Sequence, residues 1–242
     1  RPGRKIAVTG AGRGLGRAVA MMAARRGWVP ILLGRSVADL ERVAQDIRQA
    51  GLSASDPVEC DLSNLDSIAA ASAEITREHP DLDALVHNGC TWLAGQLDTH
   101  TDAEIEFVIT SALTGTIALT RCLLPFLRAR PYADIHTVVS MSGLRYAPLL
   151  GASAAFMAAK AGQDGFTLGL VQELRETDVR VTATYPGLIS EEMLIDDNRS
   201  ATQKSLSVDD VADAVLYAIS APPHVAFRQI VIERSRSDFL RP

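Results

Sequence analysis

The 242-residue chain is 47% hydrophobic and 22% charged and has no Pro/Gly/Ser-rich linker, so one large core and a single domain over 1–242 are expected. Its net charge of −5 and pI near 5.6 disfavour a polyanion, nucleic acid included, as principal partner. No apolar run approaches the about 18–20 residues of a spanning helix and the N-terminal stretch carries no signal-like hydrophobic region, so no membrane is expected either.

In chain order, Ile6 to Val8 reads as a buried strand running into Thr9-Gly10-Ala11-Gly12-Arg13-Gly14-Leu15-Gly16. Glycines at 10, 12, 14 and 16 let the backbone turn sharply, present N–H groups to a pyrophosphate and pack the next helix on the strand. That helix carries Leu15, Val19, Met22 and Ala23 on one face and stops at Gly27. Trp28 to Leu33 is a second strand, and Ser36 with Asp39 caps a helix running to Ala50 and closed by Gly51. A third strand, Asp56 to Cys60, is made irregular by Pro57 and leads into Asp61-Leu62-Ser63, which opens a helix to about His79. Ala84 to His87 is a short strand followed by Asn88-Gly89-Cys90.

Helical periodicity then holds from Asp102 to Arg128. Ile135 to Val139 is the fifth strand, Ser140 to Ala152 a loop, and Ser153 to Arg175 a long helix rich in Ala and Gly. Val179 to Tyr185 is the sixth strand and ends in Pro186-Gly187. The polar stretch 188–205 reads as a substrate lid, Val208 to Ser220 as a last helix capped by Ser207 and Asp210, and Gln229 to Glu233 as a final strand. Strands alternating with helices require an α/β architecture, a doubly wound parallel sheet of about seven strands with helices on both faces. The expected order is 3-2-1-4-5-6-7. Cys60, Cys90 and Cys122 are odd in number, widely spaced and set in apolar runs, and the five histidines are scattered. Buried reduced thiols, no metal set and a reducing cytoplasm are expected.

In such sheets ligands bind beyond the carboxyl ends of the strands, where the glycine loop, Asp61, Asn88, Ser140 and Pro186-Gly187 all fall. A dinucleotide site usually has an acidic residue at the end of the second strand, but this chain has Gly34 and then Arg35, with Arg13 inside the loop. Guanidinium groups suit a 2′-phosphate, so NADP(H) is the expected cofactor.

These residues together resemble the short-chain dehydrogenase/reductase family, single-domain NAD(P)-dependent oxidoreductases. Thr9-Gly10-x-x-x-Gly14-x-Gly16 is similar to its cofactor loop, which also takes in Gly12, Arg13 and Leu15. Asp61-Leu62 is similar to its adenine contact, Asn88-Gly89 to a degraded form of its Asn-Asn-Ala-Gly segment, and Pro186-Gly187, with Ile189 just beyond, to its nicotinamide-side loop. Arg13, and Arg35 with Ser36, occupy positions that in the family accompany NADP(H). The resemblance implies that Ser140, or Ser142 in a lengthened loop, holds a substrate carbonyl and that Lys160 binds the nicotinamide ribose and lowers the pKa of a tyrosine four residues earlier. That position holds Phe156, which has no proton to transfer. Ala112 replaces a helical Asn and Glu191 a Thr, and three departures together indicate native divergence rather than one engineered substitution.

Tyr146, Tyr185 and Glu191 are candidate surrogate acids, each with a plainer structural explanation. Three functions stay open: an NADP(H)-dependent carbonyl or imine reductase, a non-redox isomerase, cyclase or dehydratase on the same scaffold, and a cofactor-binding subunit without chemistry. The lid and the 91–98 loop should line a partly apolar pocket for a medium-sized organic substrate, with Trp92, Leu93 and Leu149 in its wall. The resemblance also implies a homodimer or homotetramer paired through the two long helices.

Overall fold

The computed structural model describes residues 3–145, 151–189 and 205–235. Its seven strands, β1 (Lys5–Thr9), β2 (Val29–Gly34), β3 (Val58–Glu59), β4 (Ala84–His87), β5 (Ala133–Val138), β6 (Val179–Pro186) and β7 (Gln229–Ile232), form one sheet. All pairings are parallel, as the alternation of patterns requires, and the order is the expected β3-β2-β1-β4-β5-β6-β7.

The period-2 rule sends alternate strand residues to opposite faces. Ile6, Val8, Leu32 and Val86 meet α1 (Gly14–Arg25), α2 (Val37–Gln49) and α7 (Val208–Ser220) on one side. Ala7, Ile31, Leu33, Leu85 and Ile135 meet α3 (Leu65–Glu78), α5 (Gly115–Arg128) and α6 (Ala154–Glu173) on the other. Both faces are covered, which is why the strands read as near-continuous apolar runs. At the amino edge of the sheet Arg180 donates to Asp134 at 2.6 Å and Arg4 also pairs with it, both cations being mostly buried.

Several boundaries differ from the expectations. β3 has only two residues, because Pro57 cannot donate to the ladder. The cap of α3 is Asn64, whose Oδ1 accepts from Asp66 N and Ser67 N, whereas Asp61 caps the turn before it by accepting from Ser63 N at 2.9 Å and Ser63 Oγ at 2.7 Å. The run from Asp102 to Arg128 is continuous but not regular: α4 (Asp102–Ile109) passes through a π-helical turn, Thr110–Thr114, into α5. By length, and by a mean hydropathy of 1.6 over an 18-residue stretch within it, this 27-residue run is long and apolar enough to cross a membrane, which corrects the expectation that no such segment exists. Leu119, Leu123 and Leu127 on it are nevertheless buried in the core. Cys60 is buried as expected, whereas Cys90 and Cys122 are half-buried; no disulfide forms.

Candidate functional site

The first part of the site is made by close backbone approach. Gly10 has φ +66°, and a Cβ on Gly16 would collide with the Gly10 carbonyl oxygen. A Cβ on Gly10 would lie 3.0 Å from Gly89 Cα and one on Gly89 2.7 Å from Leu62 Cδ1, so β1, β4 and the Asp61-Leu62 segment converge only because these positions lack side chains. Thr9 Oγ1 accepts from Asn88 N and Gly89 N, both at 2.9 Å, and Asn88 Nδ2 donates to Thr9 O at 3.1 Å. The glycine loop is thereby clamped to the end of β4. The N-terminus of α1 follows at once, and no side chain at its cap position accepts from its first-turn N–H groups.

A cleft of about 670 Å³ runs from this loop outward. Its lining includes Gly10, Gly12, Arg13, Gly14, Leu15, Arg35, Ser36, Asp61, Leu62, Asn88 and Gly89, so most of the predicted cofactor residues share one space. Arg13 and Arg35 are exposed and enter no ion pair among the described residues. The Arg35 guanidinium lies 5.1 Å from the Phe107 ring centroid. Asp39 is a carboxylate in the same cleft that the sequence reading used only as part of a cap; it is paired with Arg42. Cys60, also in the lining, has its thiol pushed up to about 12 by burial and by the neighbouring Asp61, so it is inert at neutral pH.

A smaller cavity of about 100 Å³ adjoins it and holds the second part of the site: Ser140, Ser142, Phe156, Lys160, Pro186, Gly187 and Ile189, together with Leu15 and Asn88. β5 delivers Ser140, whose Oγ accepts from Ser142 N at 3.1 Å and so caps a single 3-10 turn, Met141–Gly143. That turn lies directly on α6, since a Cβ on Gly143 would sit 2.8 Å from Lys160 O. Ser153 Oγ accepts from Phe156 N at 3.1 Å and caps α6, which then presents Phe156 and Lys160 one turn apart. Phe156 is buried, edge-on to Trp92 with centroids 4.6 Å apart, and the Lys160 ammonium stands 5.7 Å from its ring centroid. Lys160 Nζ donates to Val138 O at 3.1 Å and to Gln163 Oε1 at 3.0 Å. Gly187 N donates to Ile232 O at 2.9 Å, which pins the turn after β6 to β7.

Of the surrogate acids, Tyr146 and Glu191 lie outside the described residues, as do Leu149 and most of the predicted lid, 190–204. Its two flanks are joined, because Leu206 N donates to Leu188 O at 2.7 Å and Ile189 bridges to Leu206. Tyr185 is corrected: it is absent from the cavity lining, fully buried, donates to Asp164 Oδ1 at 2.6 Å and accepts from Gln229 Nε2 at 2.9 Å. Burial and the adjacent Asp164 carboxylate raise its pKa well above that of an ordinary phenol. Trp92, Cys90 and Phe107 line the site but carried no chemical motif; Trp92 alone had been placed near a pocket. Gln163 was not anticipated at all, because it sits on an Ala/Gly-rich helix whose periodicity says only that it packs.

The family model for short chain dehydrogenases matches residues 4–202. An uncharacterized oxidoreductase of Staphylococcus aureus (strain N315) is 28% identical over 229 residues, covering 94% of this chain and 96% of the relative. Among solved structures, a metagenomic short-chain oxidoreductase in complex with NADP matches with a TM-score of 0.81 at 29% identity, covering 96% of this chain and 97% of that one. A 3-oxoacyl-[acyl-carrier protein] reductase from Brucella melitensis with bound NAD matches with a TM-score of 0.82 at 26% identity, covering 96% and 90%. A glycine loop clamped by Thr9 and Asn88, a serine and a lysine facing one cavity, and a family match over most of the length lead to one conclusion: this chain belongs to the short chain dehydrogenase family.

Proposed function

We propose that this protein is an NADP(H)-dependent oxidoreductase acting on a carbonyl or imine of a medium-sized organic molecule. The observation that carries this reading is the adjacency of two spaces: a cleft with glycine N–H groups and two unpaired arginines, and beside it a cavity with Ser140 and Lys160 in its wall. The cradle fits a dinucleotide, since Gly10, Gly16 and Gly89 let its backbone close up where a Cβ would collide, and backbone N–H and guanidinium donors suit phosphate. The two solved relatives hold NADP and NAD respectively, so the family alone leaves the choice between them open. Here Arg13 and Arg35 would take the 2′-phosphate, and of the two carboxylates in the cleft lining Asp39 is held by Arg42 and Asp61 accepts from Ser63.

Bound there, the nicotinamide would supply or accept a hydride. Asp61, Leu62 and Asn88 would line the adenosine and phosphate side, and Pro186, Gly187 and Ile189 the nicotinamide side. Ser140 would donate a hydrogen bond to the substrate oxygen, with Ser142 supporting it through its backbone N–H. Lys160 would hold positive charge beside the reacting atoms, and Trp92 and Phe156 would form an apolar wall that excludes water.

NADPH is expected to bind more tightly than NADH in a fluorescence titration, and Arg35→Ala to weaken NADPH by about tenfold, the usual worth of a charge-assisted contact, while leaving NADH unchanged. Equal affinities would show that these arginines face solvent only. Loss of NADPH absorbance with a panel of ketones and imines tests the activity itself.

A second reading, a non-redox enzyme on this scaffold, is favoured by one observation: position 156 holds a buried phenyl ring packed edge-on against Trp92. Product formed without net NADPH turnover would select it. We further propose a homodimer or homotetramer, supported by the exposed apolar residues Ile117 and Phe126 on α5 and Leu168 on α6. A monomeric mass by light scattering at micromolar concentration would overturn that.

A further inference from the structure

Lys160 is 4% exposed and Gln163 1%, and one hydrogen bond joins their side chains. An ammonium has three donors and no acceptor, and Lys160 spends two of them on Val138 O and on Gln163 Oε1. The Gln163 amide reaches the other way with its nitrogen, donating to Ala112 O at 2.7 Å and to Thr116 Oγ1 at 3.2 Å. Thr116 gives its only hydroxyl hydrogen to Ala112 O, at 2.6 Å, so toward Gln163 it acts as an acceptor. Two acceptors at one end and a cation at the other fix the amide: turned over, it would set oxygen against oxygen and NH₂ against ammonium.

The fold makes room for this bridge in two ways. Ala112 lies in the π-helical turn between α4 and α5, and its carbonyl accepts from both Thr116 Oγ1 and Gln163 Nε2. Gly162, beside Gln163, lets α6 approach that turn closely, since a Cβ there would sit 2.6 Å from Leu113 Cδ2. A buried ammonium is costly unless its donors are met, and a neutral partner meets them without cancelling the charge.

We infer that Gln163 is a positioning residue for Lys160: it ties the side-chain nitrogen to the π-turn carbonyl of Ala112 and holds it at the wall of the small cavity. This inference rests on the assignment of Lys160 to the cofactor and reaction site.

The chain has three lysines, Lys5, Lys160 and Lys204, so the Lys160 ammonium can be assigned in the full-length ¹⁵N-lysine-labelled protein by its loss in Lys160→Met. In Gln163→Met, close in volume but without the amide, exchange of the Lys160 ammonium hydrogens with solvent should quicken by about tenfold or more, as loss of a hydrogen bond to a charged group implies. Gln163→Glu, which keeps an acceptor for the ammonium but loses both donors toward Ala112 O and Thr116 Oγ1, should quicken exchange less than Gln163→Met. Wild-type-like slow exchange is expected only where the amide is intact. Thr167→Val, which removes a hydroxyl bonded to Gln163 O but not to its side chain, should retain it. Thr116→Val, which takes away one of the two acceptors holding the amide, serves the same purpose if Gln163→Met does not fold.

NADPH affinity should fall by about tenfold in Gln163→Met and show no further fall when that change is added to Lys160→Met. Unchanged exchange in Gln163→Met, or an equal loss of affinity in the Lys160→Met background, would overturn the inference. A wild-type protein that binds no NADPH would instead sink the proposed function, and the exchange comparison would then decide the role of Gln163 alone.

Discussion

Phe156→Tyr is expected to raise NADPH-dependent reduction of a ketone by about 10²–10⁴-fold, the usual contribution of a positioned general acid. The ring is already where a phenol would be useful: buried, in the wall of the cavity that Ser140 and Lys160 share, and held edge-on by Trp92. Its backbone is fixed by the Ser153 cap, so the substitution adds one hydroxyl without moving the helix. A cation nearby favours the ionised form of a phenol, and Lys160 stands one helical turn away with its ammonium 5.7 Å from the ring centroid. Among the described cavity-lining residues only Cys90 and Lys160 are titratable, so none of those residues carries a carboxyl or phenol to take the place of a tyrosine. A gain near the upper end of the range would mean that the pocket is still shaped for a carbonyl. No gain toward any carbonyl, with NADPH binding intact, would rule out the simple reductase and favour the non-redox reading.

Unfolding free energy should fall by about 4 kcal/mol between pH 7.5 and pH 5, because two histidines are buried in the neutral form. His87 on β4 and His136 on β5 are both fully enclosed, and burial lowers each pKa from 6.5 to about 3, His87 adding to the effect on His136. Thr120 gives its hydroxyl hydrogen to Thr116 O, so at 2.7 Å it accepts from His87 Nε2–H, which leaves His87 Nδ1 as a lone pair without a partner. Protonating that nitrogen would bury an unmatched donor and a charge together. His136 lies between the hydroxyls of Thr182, 2.8 Å from Nδ1, and Thr184, 3.2 Å from Nε2.

The sign follows from proton counting: between about pH 6.5 and pH 3 the unfolded chain binds these protons and the folded one does not, so stability is lost as pH falls through that window. At pH 5 each histidine accounts for about 2 kcal/mol, a large share of the 5–15 kcal/mol of a typical domain. Carboxylates such as Asp81, lowered by its Lys5 partner, add losses only at lower pH, so the onset near pH 6.5 belongs to the histidines. Urea unfolding at the two pH values checks this. His87→Gln should remove about half of the difference, and a flat profile in the wild type would refute it.

The order of seven strands, the parallel pairing and the clustering of Gly10, Asp61, Asn88, Ser140 and Pro186 at one sheet edge were legible in the residues alone, because periods of 2 and 3.6 and glycine-rich turns are local signals. That residue 156 is a phenylalanine, with no hydroxyl to donate, is likewise a matter of residue identity. Tertiary structure decided which side chains turn toward that edge. Tyr185 precedes Pro186 in the chain, yet its hydroxyl is taken by Asp164 and Gln229, partners 21 and 44 residues away. Asp39 enters the cleft beside Gly12, where a Cβ would meet it at 3.0 Å. Gln163 meets Ala112 across 51 residues through a π-turn that helical periodicity reads as ordinary helix. Periodicity assigns a residue to a buried or an exposed face, but the partner of a buried polar group is set by helix-to-helix approach within a few tenths of an ångström, and that distance exists only once the chain has folded.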